Sequence, residues 1–332
     1  MKHYTLTNIQ FPAEGRVLAL GSFDGFHLGH RAVIDAAVAL AKELNAEPAV
    51  FCFDAPPACY APGSTVKILG DKNERKELFA ARGISSLFVA GFEELRGLDA
   101  RDFITEILMK ECGAVGVVCG FNFAFGKNRA GTPILLRDYF KDRVITLDPI
   151  YNGELPVSSS RIRAAITDGD VELAASMLGR HYSITCEVSE GRKDGRKLGF
   201  PTINQHPDEK RAIPSHGVYV TKAILPNGQA FPSVTDVGLA PTLDQSGRVR
   251  LETHLLDTFI ENSPSSAKIE FLERIRGEFV FNSIDELKAQ ISSDVEYARN
   301  YFKEQNVNIK VISGDNPSTV SNILKQLEFD DY

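Results

Sequence analysis

The sequence predicts an α/β domain on a doubly wound parallel sheet, followed by an antiparallel β-barrel domain with a C-terminal helix. Three observations carry this. Short apolar runs alternate with helically spaced apolar residues through the first half, the period falls from 3.6 towards 2 after Tyr182, and one long amphipathic pattern follows the last strand-like run. At 332 residues the chain exceeds what one core supports, so two domains are expected. A composition of 43% hydrophobic and 24% charged residues is ordinary for a globular chain, and no apolar run approaches the ~20 residues that span a bilayer. Met1–Asn8 lacks the apolar core of a secretory signal, so no membrane partner and a cytoplasmic location are expected. The net charge of −7 argues against a nucleic-acid partner, which needs clustered Lys and Arg. Cys52, Cys59, Cys112, Cys119 and Cys186 form no C-x-x-C pair and are expected to be reduced thiols. A homo-oligomer is compatible with all of this.

In chain order, Val17–Gly21, Ala49–Phe53, Leu87–Ala90, Val115–Gly120 and Val144–Leu147 are too apolar to face water, as strands covered by helices on both faces should be. After the first of them, Ala32, Val33, Ala36, Ala37, Leu40, Ala41 and Leu44 recur at helical spacing. Asp71 and Glu74 have capping-box spacing with Gly83 as a stop, and Thr132-Pro133 has the pattern of an N-cap followed by proline at N1. Val157-Ser-Ser-Ser-Arg-Ile-Arg163 opens a helix, and another runs from Asp170 to Gly179. The boundary is placed near residue 181, giving domains 1–180 and 181–302. In the second, Ile184–Val188, Gly217–Ile224, Ser233–Val237, Val249–Leu256 and Ala267–Leu272 predict a barrel, a sandwich being the other arrangement such strands allow. Ser283 and Glu286 cap a helix whose stripe is Leu287, Ile291, Val295 and Ala298. Residues 303–332, with a loop at Ser313–Pro317 and an amphipathic segment Val320–Leu327, form an extension to which no role is assigned.

The most chemical stretch is Gly21-x-Phe23-Asp24-Gly25-x-His27-x-Gly29-His30, at the end of the first buried strand. Neither G-x-x-x-x-G-K-[ST] nor G-x-G-x-x-G is present there, so any phosphate site is built differently. Glycines let the backbone approach an anion, a helix beginning near His30 offers free N–H groups and a positive dipole end, and imidazoles add donors that can carry charge. A lone H-x-x-H is usually a satisfied surface pair, and without Cys or carboxylate partners it is a poor zinc set. In this strand–turn–helix setting it is a nucleotide-phosphate site.

This run resembles the H-x-G-H signature of the nucleotidyltransferase superfamily. In its full form it resembles the N-terminal module of bacterial bifunctional riboflavin kinase/FAD synthetases. Gly120-Phe-Asn-Phe-Ala-Phe-Gly126 with Arg129 and Gly131, and Val157–Arg163, resemble two more segments of that module. Gly191-Arg-Lys-Asp-Gly-Arg-Lys-Leu-Gly-Phe-Pro-Thr-Ile-Asn204, Gly217-Val-Tyr219 and Leu251–Asp257 resemble the kinase module. The resemblance runs from about residue 15 to residue 302 and implies a nucleotidyltransferase domain followed by a kinase domain. By it, riboflavin is phosphorylated to FMN and FMN is adenylylated to FAD, with ATP as co-substrate, Mg²⁺ as cofactor and release of pyrophosphate.

The resemblance also implies the site residues. Gly21, Phe23, Asp24, Gly29, Ser159, Ser160 and Arg161 hold ATP phosphates, with His27, His30 and Arg163 catalytic and Asn122 and Phe123 beside the flavin. Gly191, Gly195 and Arg196 hold the second ATP in a glycine-bounded basic loop, which taken alone would be a solvated turn. Thr202 and Asn204 offer hard oxygen ligands to Mg²⁺. Strand alternation puts Glu252 on the face opposite Leu251 and Thr253, where it can be the general base; a lone strand glutamate is usually half of a surface charge pair. Ser158 is expected only to cap a helix. Four departures stand out: Ser22 where the family often has Asn, Asp54-Ala-Pro56-Pro57 for D-P-H-P, and Asp236 and Ala240 for the Asn and Arg of N-I-G-x-R-P-T. Alternatives are a single surviving activity or a flavin-binding regulator; retention of His27, His30, Arg163, Thr202, Asn204 and Glu252 favours catalysis.

Overall fold

The computed structural model describes residues 1–5, 15–189, 195, 198–239, 248–258 and 263–305. They fall into two compact units. One comprises Met1–Ala164, Ser176–Arg180 and Lys210–Ala212, and the other comprises the remainder. Gly191, Arg196, Ala240 and residues 306–332, including Val320–Leu327, lie outside the described residues.

The first unit is built on strands β1 (Lys2–Thr5), β2 (Arg16–Leu20), β3 (Glu47–Phe53), β4 (Ser86–Ala90), β5 (Ala114–Gly120) and β6 (Val144–Leu147), all parallel, in the order β1-β4-β3-β2-β5-β6. Five match the apolar runs. β1 does not, because Lys-His-Tyr-Thr is polar and lies at the sheet edge. Helix α1 (Leu28–Glu43) buries Val33, Ile34, Ala37, Leu40 and Ala41 against the sheet, and α2 (Lys72–Ala81) is capped by the Asp71 carboxylate, which accepts the N–H groups of Asn73 and Glu74. Short helices α3 (Phe92–Leu95) and α4 (Ala100–Asp102) precede a π-helical stretch, Phe103–Glu111. α5 (Pro133–Phe140) starts at the expected Thr132, whose hydroxyl makes no capping bond. A hairpin of β7 (Tyr151–Asn152) and β8 (Leu155–Pro156) leads to α6 (Ser159–Asp168) and α7 (Val171–Leu178), which ends at Gly179 with φ +65. Strand order reverses between β2 and β5, and in open α/β sheets ligands bind outside the carboxyl ends at that switch point.

The second unit is a closed antiparallel barrel, not a sandwich. Its strands β9 (Tyr182–Ser189), β10 (Thr202–Gln205), β11 (Gly217–Ile224), β12 (Ala230–Leu239), β13 (Val249–Leu255) and β14 (Ser266–Arg276) run β10-β13-β12-β11-β14-β9 and close through β9 and β10. Inside lie Tyr219, Leu251, Ile269 and Phe271 with a chain of buried hydroxyls, Ser233–Thr221–Thr235–Thr253, joined at 2.8–2.9 Å. Outside, α8 (Ile284–Glu304) lays Val295, Ala298 and Phe302 on Val218, Val220 and Val234. Its Asp294 is buried and takes both arms of Arg276, at 2.7 Å for the shortest. Ser283 caps it as expected, accepting the Glu286 N–H at 3.1 Å, while Leu287 remains only half-buried.

Candidate active sites

Just beyond β2 the chain turns sharply, with Phe23 at φ 51, Gly25 at φ +79 and Phe26 at φ 45. Two non-glycine residues in the left-handed region need outside support. The rings of Phe23 and Phe26 supply part of it by packing on Phe79 at 5.4 and 5.5 Å. The Asp24 carboxylate supplies the rest, accepting the Leu69 N–H at 2.8 Å and the Arg163 guanidinium at 2.7 Å, while the Ser159 hydroxyl donates to the Asp24 carbonyl at 2.8 Å. Burial pushes the Asp24 carboxyl up, against that N–H and the Arg163, Arg211 and Arg75 cations, which pull it down.

Helix α1 begins at Leu28, earlier than expected, because His27 is its N-cap: the His27 Nδ1 accepts the His30 N–H at 3.3 Å. The N–H groups free of intrahelical acceptors are therefore those of Leu28 and Gly29, not that of His30. The two imidazoles stack at 3.6 Å between centroids. Burial, with Arg163 and Arg180 nearby, lowers His27 to about 4; burial, with His27 and Arg75 nearby, holds His30 well below its ordinary value. The expected chargeable donors are thus neutral at pH 7. With Nδ1 of His27 accepting, its proton is assigned to Nε2. The His30 Nδ1 is buried without a hydrogen-bond partner.

A cavity of about 480 Å³ opens at this point. It brings together Gly21, Phe23, Asp24, His27, Gly29 and His30 with Asn122 and Phe123 from beyond β5 and Ser159, Ser160 and Arg163 from α6. Arg161 is not in its lining; its guanidinium donates to the carbonyls of Leu155 and Pro156 at 2.7 and 2.8 Å and braces the β7–β8 hairpin. Ser158 caps α6 as expected, accepting the Arg161 N–H. Pro56 and its neighbours Pro57 and Ala58 make an apolar wall of the cavity. No sequence motif marks Arg75, which donates to the carbonyls of Ser22 and Asp54 at 3.1 and 3.4 Å and ties the ends of β2 and β3 together. Its place on an ordinary amphipathic helix explains why.

On the barrel, register places Asn204 opposite Glu252, Glu252 opposite Asp236, and Thr202 opposite His254. These side chains share the outer face. Leu251 and Thr253 point inside, fully buried, as alternation requires. Glu252 pairs with Arg250 at 2.7 Å. The Asn204 side-chain NH₂ donates to the Thr202 hydroxyl at 3.5 Å, so the two side chains are adjacent. Asp236 is half-buried and pushed up to about 6 by burial and by the carboxylates of Glu252 and Glu278, with Arg276 and Arg250 opposing. Gly195 accepts the Phe200 N–H at 2.8 Å, and a Cβ there would collide with the Phe200 carbonyl oxygen. Beside Thr202 and His254 lies a second cavity of about 430 Å³, lined by Phe200, Pro201, Val295 and the Asp257–Arg299 ion pair. Phe200, Pro201 and Asp257 were within the matched segments, but only the fold assembles them into a pocket.

Comparison with known proteins identifies the family. The FAD synthetase family model matches residues 10–161 and the riboflavin kinase model residues 178–302. The bifunctional riboflavin kinase/FMN adenylyltransferase of Escherichia coli strain K12 is 32% identical over 299 residues, covering 88% of this chain and 95% of its own. The chain belongs to this bifunctional family. It joins a riboflavin kinase to an FMN adenylyltransferase, with ATP as substrate, and so makes FMN from riboflavin and FAD from FMN. The Bacillus subtilis member is 35% identical over 297 residues, covering 86% of this chain and 92% of its own. Among solved structures, that of a macrolide-efflux protein from Streptococcus pneumoniae matches with a TM-score of 0.80 and 28% identity, covering 90% of this chain and 99% of that one. Among the described residues of this family member, no helix is long and apolar enough to cross a membrane.

Proposed function

We propose that residues 181–302 carry out the phosphorylation and residues 1–180 the adenylylation, with roles as follows. In the barrel the riboflavin 5′-hydroxyl oxygen bonds to the γ-phosphorus of ATP as the bond to the β,γ-bridging oxygen breaks, ADP leaves, and the proton passes to Glu252. The 430 Å³ cavity takes the flavin ring against Phe200, Pro201 and Val295. Thr202 and Asn204 suit Mg²⁺, which is commonly held by few protein oxygens plus substrate phosphates; the ion would neutralise charge on those phosphates. Gly191, Gly195 and Arg196 cover the nucleotide.

In the first domain an FMN phosphate oxygen bonds to the α-phosphorus of a second ATP, and pyrophosphate leaves. Such displacements need positioning and charge stabilisation more than covalent help. The donors are the Leu28 and Gly29 N–H groups, the neutral imidazole N–H dipoles of His27 and His30, the Ser160 hydroxyl, and Arg163 held by Asp24, while the Ser159 hydroxyl braces the turn through the Asp24 carbonyl. The orphaned His30 Nδ1 fits a site completed by substrate. Asn122 and Phe123 lie along the flavin. Free thiols at all five cysteines fit a reducing, cytoplasmic setting.

The observation that carries this division is the register that sets Thr202, Asn204 and Glu252 on one barrel face. Its test is a time course of purified full-length protein with riboflavin, ATP and Mg²⁺, resolved by chromatography. FMN should rise first and FAD follow. FMN without FAD would overturn the assignment of the first domain, and absence of FMN that of the barrel.

A further inference from the structure

The kinase centre carries a second carboxylate, Asp236, in register with Glu252. β12 sets this residue directly across from Glu252, and opposed side chains of neighbouring strands have Cβ atoms only ~5 Å apart. Among the described residues, the charged groups that act on it are these. From β13 come Glu252 and Arg250, which pair with each other at 2.7 Å. Arg276 at the end of β14 is held by Asp294 of α8 at 2.7 Å. Glu278, just beyond β14, faces His216 at 3.6 Å, and its carboxylate and that of Asp236 both lie over Gly238. Both nearby cations are thus engaged elsewhere, and Asp236 has no ion pair among the described residues. The three carboxylates leave this side of the centre negative.

We propose that Asp236 is a specificity-determining residue of the kinase: its carboxylate, beside that of Glu252, accepts an uncharged acceptor hydroxyl as neighbour and weakens the hold on the phosphorylated product, so that FMN leaves the barrel for adenylylation. The inference rests on Glu252 marking the position of the acceptor 5′-oxygen. That oxygen is neutral in riboflavin and bears a phosphate of nearly two negative charges in FMN. A charge one strand away in a half-buried setting therefore separates product from substrate, where a neutral amide would not. Although raised to about 6, the carboxyl is ionised at pH 8.

The test follows ADP release by full-length protein at pH 8, as initial rates with riboflavin, Mg²⁺ and ATP and increasing FMN. Adenylylation yields pyrophosphate, not ADP, so the readout belongs to the barrel alone. Asp236→Asn is expected to lower the inhibition constant for FMN by about tenfold while the riboflavin KM moves less than about twofold. Asp236→Glu, which keeps the charge, should retain the wild-type constant. An unchanged FMN constant in the Asn variant, or riboflavin KM and FMN constant shifting together in both variants, would overturn the proposal. Wild-type protein releasing no riboflavin-dependent ADP would overturn the kinase assignment itself, and the proposal with it.

Discussion

The two phosphate-handling centres solve one problem with opposite materials. At the switch point of the parallel sheet, anion donors are buried and largely uncharged: two stacked imidazoles held neutral, helix N–H groups, and one guanidinium already occupied by Asp24. On the barrel, the groups lie on an outer face and include two neighbouring carboxylates, with a hydroxyl and an amide as candidate metal ligands. The contrast follows from the folds. A parallel strand feeding a helix creates converging N–H donors at no cost in charge, whereas an antiparallel barrel has its backbone donors tied in the ladder and must use side chains. The chemistry differs accordingly: a hydroxyl must lose a proton to attack, and a phosphate need not.

The sharpest way to break this comparison is to exchange losses between the two centres. Glu252→Gln removes the proton acceptor and should slow riboflavin phosphorylation by ~10²–10⁴ while FMN adenylylation continues. His30→Ala should slow adenylylation by ~10²–10³ and leave ADP release from riboflavin intact. Both are read by chromatography of separate riboflavin-fed and FMN-fed reactions, with circular dichroism to confirm folding. Loss of both activities in either folded variant would show that the centres are not separate.

The same contrast explains what was legible in the sequence. The histidine turn is contiguous, so Gly21–His30 could be recognised whole, down to the strand before it and the helix after it. The exact helix start was not, because a histidine capping through Nδ1 is rarer than Ser, Thr or Asp, and Leu28 carries no cap signal. Nor was neutrality of the imidazoles, since it depends on burial by residues distant in the chain. In the barrel, alternation identified the outward face of Glu252, but β10 was too short to be seen as a strand. Without β10 the row Asn204–Glu252–Asp236 had no register, and Asp236 was only a departure from a motif. Arg161 was grouped with phosphate ligands by its neighbours in a motif, whereas its partners are the carbonyls of a hairpin that sequence patterns do not reveal.

A smaller effect sharpens the electrostatic half of the comparison. His27 has a folded value of about 4 against 6.5 for the unfolded chain, so between these values the unfolded state binds the extra proton. Stability is therefore complete above pH 6.5 and declines as pH falls towards 4, by about 3 kcal/mol for this residue, with His30 adding in the same direction. His27→Asn keeps a capping acceptor and removes the titration. Urea midpoints at pH 7 and pH 4.5 should fall less steeply in this variant than in wild type, and an equal fall would show that burial of His27 is not the source of the acid sensitivity.

The smallest effect concerns how each unit fills its interior. The parallel sheet is packed with Val, Leu, Ile and Phe, but the barrel encloses the hydroxyl chain from Ser233 through Thr221 and Thr235 to Thr253, each fully buried. Hydroxyls both donate and accept, so three bonds link the four groups, and the middle members, Thr221 and Thr235, make two each and matter most. Thr235→Val keeps the shape, removes both bonds of that residue and leaves Thr221 and Thr253 each one partner short. Leaving buried donors unpaired costs ~1–3 kcal/mol, more than the hydrogen bonds return in net stability. The urea midpoint of the variant should drop accordingly. Replacing Thr221, Thr235 and Thr253 together by Val should cost less than the sum of the single changes, because no hydroxyl among them is then left facing an absent partner.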